Sequence, residues 1–194
     1  HLYFMKSLGT ITFHLLFVGV FLTSYICEGQ TTCTPIYVST TGTATALGTA
    51  SMPTTLETAV SRAQTTGGTI KIAIGNYSMD STLKIPSHVI LEGGFDPANN
   101  WTKTSLAGAT VLHRTALNPA GIYNTNQHLT ALEMNACEHV RLQDLTITTA
   151  AGAVGTGIST YGVFINNASD YHITRVQILS GNAGSGVEEA PSCG

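Results

Sequence analysis

Few side chains of this chain could do acid–base chemistry. Two pairs of oppositely charged or titratable residues among them have the same separation along the sequence. Charged residues make up 10% of the sequence, with 11 acidic and 8 basic side chains. Asp144 and Arg175 are 31 positions apart, and so are His139 and Asp170. In stacked parallel strands, equivalent positions lie about 4.8 Å apart. We therefore predict ion pairs between neighbouring strands. A catalytic pair is the alternative, because ion pairs can resemble active sites, and we assign no catalytic residue.

Three carboxylates are the candidates for a metal ion. Glu92 and Asp96 flank a Gly-Gly-Phe stretch, and Asp80 lies in a preceding turn. Oxygen ligands of this kind suit calcium, which is the one cofactor that we consider. Their spacing does not follow an acidic loop motif, so we assign no metal site.

Polar and aromatic side chains could instead bind a sugar. Trp101, Tyr123 and Tyr161 lie in predicted loops, where they could stack on sugar rings or pack against the body of the protein. Asn135 and Asn166 follow equivalent apolar runs. They could contact a ligand, but we interpret them as an inward-facing amide ladder between stacked strands.

The elements that must position these residues come from an internal repeat. Residues 131–149 align with residues 162–180, and their apolar positions coincide: Leu132 with Val163, Met134 with Ile165, Leu142 with Ile173, Leu145 with Val176, and Ile147 with Ile178. Each copy reads as three short strands, and a unit this small buries its apolar face only when copies stack. The repeat predicts an all-β parallel solenoid with these positions facing inward.

Four segments follow from the pattern along the chain. Residues 1–29 contain a short apolar run after Lys6 and resemble upstream residues plus a signal peptide. Residues 30–68 hold a strand, a loop and a helix that begins after Thr54 or Thr55 and caps the solenoid. Residues 69–180 form the rungs. Residues 181–194 are a Gly-rich tail without a cap, so we expect further rungs beyond Gly194.

Composition and cysteine content limit the partners and the compartment. The net charge of −3 gives no support to nucleic-acid binding. The apolar run is too short to span a bilayer comfortably, so we expect an exported chain with no membrane span after cleavage. Export permits a disulfide, but Cys33, Cys137 and Cys193 leave the pairing open.

Several segments resemble the N-terminal part of bacterial secreted proteins with a right-handed parallel β-helix. The likeness lies in residues 36–39, the cap helix, residues 68–77 and residues 91–96. These are pectin-lyase-like surface proteins, similar to polymorphic outer-membrane passengers. The resemblance implies a right-handed parallel β-helix with three strands per rung and an N-terminal capping helix.

The resemblance leaves two classes of function open. The first is a cell-surface module for adhesion or glycan binding, with a polysaccharide or a host glycan as partner and no catalytic site in this segment. The alternative is the N-terminal part of a polysaccharide lyase or glycoside hydrolase, with catalytic rungs further along the chain. A lyase would need an Arg or Lys base, commonly beside a calcium cluster, and a hydrolase would need converging carboxylates.

Overall fold

The chain folds as a right-handed parallel β-helix of about four turns with one α-helix. A computed structural model describes residues 34–104, 108–121 and 127–186. The signal-peptide prediction for residues 1–29, Cys33, Tyr123, Cys193 and the tail from residue 187 lie outside these residues.

The first face of the coil is a stack of parallel strands, one from each turn. In stacking order its strands are β1 (Ile36–Val38), β2 (Gly68–Ala73), β5 (Val89–Asp96), the first half of β10 (Glu138–Thr149) and the first half of β12 (Ser169–Leu179). Alternating apolar and polar residues place one side of each strand in the core and the other in solvent.

Two further faces complete the coil. The second contains β3 (Gly75–Met79), β7 (Thr110–Arg114) and the second halves of β10 and β12. The third contains β4 (Leu83–Lys84), β9 (Gln127–Asn135) and β11 (Ser159–Asn166). Two short strands pair antiparallel to the stack, β6 (Thr102–Lys103) with β5 and β8 (Ala120–Gly121) with β9.

Left-handed backbone conformations make the corners between these faces. His139 and Asp170 have φ values of 55° and 45°, and Asp144 and Arg175 have 54° and 52°. Each pair occupies one corner in two successive turns. A residue with positive φ turns the strand sharply, so one extended strand can contribute to two faces.

One amphipathic helix packs against the start of the coil. The helix α1 (Leu56–Thr66) begins after Thr55, whose hydroxyl accepts a hydrogen bond from the Thr58 amide at 3.3 Å. It ends at Gly67, which has a φ of 64°. Its buried residues pack against β1 and β2: Leu56, Ala59, Val60 and Ala63. The predicted helix is confirmed, and of the two predicted capping residues, Thr54 and Thr55, it is Thr55 that caps it.

The core confirms the register of the repeat. The strand pairing joins each residue of the first copy to the residue 31 positions later, as in Leu142 with Ile173 and Leu132 with Val163. All five predicted inner residues of the first copy are buried: Leu132, Met134, Leu142, Leu145 and Ile147. Their counterparts are more exposed, because no described residue packs over the last turn.

Candidate functional site

Trp101 does not form an exposed sugar platform. Its indole is buried, its ring meets Tyr37 edge-to-face at 4.7 Å, and its Nε1 donates to the Ala50 carbonyl at 3.0 Å. Asn100 and Trp101 both have positive φ, which folds the loop back onto the coil. Of the two interpretations of Trp101, the structure has the second, packing against the body of the protein.

Tyr161 keeps an accessible ring. Its side chain is 42% exposed, and its ring lies 6.2 Å from both His128 and Phe164. His128 is buried, which lowers its pKa through desolvation, and its Nδ1 has no hydrogen-bond partner. Tyr161 is the only one of the three predicted sugar-stacking residues that is exposed within the described part of the chain.

The three calcium candidates have separate protein partners. Asp80 accepts a hydrogen bond from the Thr115 hydroxyl at 2.7 Å. Asp96 caps a short 3₁₀ helix (Pro97–Asn99) by accepting from the Ala98 amide at 3.0 Å. Glu92 forms an ion pair with Lys103. Because these carboxylates do not converge, the structure contradicts a shared calcium site made of these three residues.

Glu92 instead belongs to a charged cluster at one corner of the coil. Lys103, carried by β6, contacts the carboxylates of both Glu92 and Asp144. On the other side of Asp144, the Arg175 guanidinium donates two hydrogen bonds, with Nη2 to Oδ2 at 2.9 Å. Arg175 chiefly, and Lys103 to a lesser degree, hold the pKa of Asp144 well below its usual range. The carboxylate is thus a structural anion and a poor proton acceptor.

Histidines form a ridge across three successive turns. The rings of His88 and His139 stack with centroids 4.9 Å apart. His139 Nδ1 contacts Asp170, and His172 Nε2 lies 3.4 Å from the same carboxylate. Hydrogen bonding to His139 is the main reason that the pKa of Asp170 is lowered. Both predicted rung-to-rung pairs therefore exist as contacts on the outer surface.

The two asparagines are hydrogen-bonded to each other, but they do not face inward. Asn166 Nδ2 donates to Asn135 Oδ1 at 3.0 Å. Both side chains are exposed. The expected inward orientation is wrong because these residues end their strands at a corner, where the alternation of faces stops.

A polar groove runs along the junction of helix α1 and strand β3. It consists of two adjoining clefts of about 170 and 290 Å³, which share Glu57 and Ser78 in their walls. Hydroxyl, amide and carboxylate side chains line it: Ser39, Thr40, Thr55, Glu57, Asn76, Ser78, Asp80, Ser81 and Thr82. Tyr77 also lines the groove, and its buried hydroxyl donates to the Ala73 carbonyl at 3.0 Å.

The sequence patterns missed a buried cation. Arg114 lies inside the coil with no solvent exposure, and burial lowers its pKa. Its guanidinium donates to three backbone carbonyls, those of Thr115 and Leu117 at 2.6 Å and that of Asn118 at 2.7 Å. Its place in the alternating strand Thr110–Arg114 is the one signal that could have indicated an inward side chain.

One described cysteine is a free thiol. Cys137 is buried in the first copy of the repeat, and burial raises its pKa. It lies in the wall of a polar cleft of about 320 Å³ with Ser87, Glu138 and Asn167. A raised pKa disfavours the thiolate, so this thiol is a weak nucleophile.

Within residues 34–104, 108–121 and 127–186, no group of three or more His, Cys, Asp or Glu side chains is arranged to hold a metal ion. None of the helices in these ranges is long and apolar enough to cross a membrane. Comparison with known proteins found no matching family model, curated protein or solved structure.

Proposed function

We propose that this chain is an exported surface module that binds glycans, and that the groove between α1 and β3 is its contact surface. The observation that carries the proposal is the composition of that groove, in which nine polar side chains come together. We also propose, from the sequence resemblance alone, that the chain is related to pectin-lyase-like surface proteins.

The groove offers the groups that recognise sugar hydroxyls. The Glu57 carboxylate accepts hydrogen bonds only, the Asn76 amide both donates and accepts, and the hydroxyl of Ser78 can do either. Glu57 and Ser78 stand where the two clefts adjoin, so one extended ligand could contact both clefts through them. Bonds to a charged acceptor are the stronger ones, so Glu57 would contribute most to affinity.

The charged residues elsewhere support a binding role over a catalytic one. Asp144 and Asp170, the two carboxylates with lowered pKa values, are held by basic side chains of neighbouring turns. A general base needs a pKa near the working pH, and these groups are shifted the other way. Their contacts join neighbouring turns of the stack.

The test is a binding screen of the chain against neutral and acidic polysaccharides, followed by calorimetry on each positive. Glu57→Gln and Asn76→Ala should each weaken binding about tenfold, as expected for a lost hydrogen bond in a polar site. Gln64→Ala is the matched control, since Gln64 is exposed on the same helix outside the groove, and it should leave affinity unchanged.

The same screen separates binding from catalysis. Unsaturated products would indicate a lyase, and new reducing ends without them would indicate a hydrolase. Either result would overturn the binding-module proposal in favour of an enzyme. Equal affinity in all three variants would contradict the groove as the contact surface.

A further inference from the structure

The walls of the groove between α1 and β3 carry charge of one sign. Two of its lining side chains are carboxylates, Glu57 and Asp80, and none of the described residues in its walls is a lysine, an arginine or a histidine. A ligand in this groove therefore meets carboxylates as the full charges, beside hydroxyl and amide groups. Walls of this kind attract a cation and repel an anion.

Glu57 is the carboxylate whose hydrogen-bonding capacity is free. Its side chain is exposed, and no described residue forms a hydrogen bond or an ion pair with it. It lies in the first turn of α1, where the helix dipole favours a negative side chain. A carboxylate accepts several hydrogen bonds, so an ammonium group of a ligand can bind Glu57 without displacing a protein partner.

Asp80 is partly compensated by the protein itself. Its carboxylate accepts a hydrogen bond from the Thr115 hydroxyl at 2.7 Å, and the Asn118 amide donates to its backbone carbonyl at 3.3 Å. It also interacts with the buried Arg114, whose pKa it raises against the effect of burial. The carboxylate that acts most strongly on a ligand is therefore Glu57.

The start of α1 does not make the groove an anion site. Helix N-termini bind anions through amides that lack a partner. Here the Thr55 hydroxyl accepts a hydrogen bond from the Thr58 amide at 3.3 Å, and Glu57 places a negative charge in the same turn. An acidic sugar would have to approach this carboxylate, and like charges brought together select against such a ligand.

We propose, on the basis of the glycan-binding function proposed above, that the groove selects glycans with free amino groups. The protonated amine of an amino sugar binds the Glu57 carboxylate, while sugar hydroxyls bond to Asn76 and Ser78. A neutral sugar keeps the hydrogen bonds with the hydroxyl and amide groups but forms no ion pair, and a uronate adds repulsion. The preferred class of ligand is thus an amino-sugar polymer without its acetyl groups.

Three sugar hexamers test this selection by calorimetry at about pH 6, where an amine of this kind is protonated. The hexamers of glucosamine and of N-acetylglucosamine differ in the acetyl groups that remove the charge, and the hexamer of galacturonate is acidic. We expect the glucosamine hexamer to bind about tenfold more tightly than its acetylated form, as for a hydrogen bond to a charged group. Added salt should reduce this preference. The galacturonate hexamer should bind most weakly.

Two protein variants locate the charge that is responsible. Glu57→Gln should reduce the preference for the amine from about tenfold to less than about threefold. Glu138→Gln is the matched control, because it removes the same charge from a side chain that is 54% exposed and lies outside the groove. It should leave the preference unchanged. An equal loss in both variants would assign the preference to the net charge of −3 and overturn the proposal.

The outcomes separate this inference from the function on which it rests. Equal affinity for the two amino-sugar hexamers, with binding that Asn76→Ala still weakens, would overturn the selection for amines and leave the groove as a glycan site. Tightest binding of the galacturonate hexamer would also overturn the selection. If none of the hexamers binds, the selection is wrong, and the wider polysaccharide screen decides on glycan binding by itself.

Discussion

The Arg175 guanidinium donates two hydrogen bonds to the carboxylate of Asp144, the residue that occupies the same corner in the preceding turn. Both residues have positive φ, so the ion pair lies where the strand changes from one face of the coil to the next. The pair fixes the 31-residue register at the corner, while the apolar rows fix it inside the coil. The same relationship recurs at the corner of His139 and Asp170.

The position of Leu142 between two turns predicts a large loss of stability on truncation. Leu142 is fully buried, whereas its counterpart Ile173 is 38% exposed in the last described turn. Leu142→Ala should lower the free energy of unfolding by roughly 2–5 kcal/mol, since it removes apolar contacts and leaves a cavity. Ile173→Ala is the matched control and should cost less than about 1.5 kcal/mol. Equal losses in urea melts would contradict the inward register.

The charged corner predicts a pH dependence. The folded state lowers the pKa of Asp144, so its stabilising contribution is present above the ordinary aspartate pKa of about 3.9 and is lost as the pH falls through the lowered value. Asp144→Asn should therefore reduce stability at pH 7 and flatten the loss of stability below pH 4.

Urea midpoints measured from pH 7 down to pH 2.5 test this pH dependence. Asp96→Asn is the control, because an asparagine can also cap the 3₁₀ helix at that position. An unchanged acid profile in Asp144→Asn would mean that the corner does not contribute to stability.

The hydrogen bonds of the buried Arg114 predict that the structure of the loop at Leu117 depends on this one side chain. Arg114→Met should destabilise the fold by roughly 3 kcal/mol, because charge-assisted hydrogen bonds to three carbonyls are lost. The loop at Leu117 should also become more susceptible to proteolysis. Arg141→Met, at an exposed position of β10, is the control. Unaltered proteolysis in Arg114→Met would show that the guanidinium does not hold the loop.

The exposed pair of Asn135 and Asn166 predicts that removing one of these amides has a small effect on stability. Asn135→Leu removes one hydrogen bond between solvated amides, so the free energy of unfolding should change by less than about 1 kcal/mol. A loss of several kcal/mol in chemical denaturation would instead indicate a buried ladder.

The sequence predicted the features that depend on periodicity. The coil, the inner row from Leu132 to Ile147 and the stacked ion pairs all follow from side-chain spacing along neighbouring turns. These contacts join equivalent positions, so an alignment of the repeat already places them together. The helix follows from its own apolar spacing, which left its cap open between Thr54 and Thr55.

The features that the sequence missed depend on segments outside the repeat. Trp101 is buried because two residues with positive φ fold its loop onto Tyr37, and no periodic pattern signals that turn. Lys103 reaches Asp144 from β6, which has no counterpart in the repeat. The Arg114 guanidinium donates its hydrogen bonds to backbone carbonyls, and a search for carboxylate partners overlooks such contacts.

The most direct measurement is disulfide formation between paired strands. Gln143 and Thr174 are register partners on β10 and β12, and adjacent parallel strands lie about 4.8 Å apart, within disulfide range. Gln143→Cys with Thr174→Cys, in a chain whose other cysteines are serine, should oxidise completely without loss of stability. The second pair, Gln143→Cys with His172→Cys, is two residues off register on the same face of the strands and should not oxidise. Equal oxidation of the two pairs, or preference for the second, would contradict the 31-residue register.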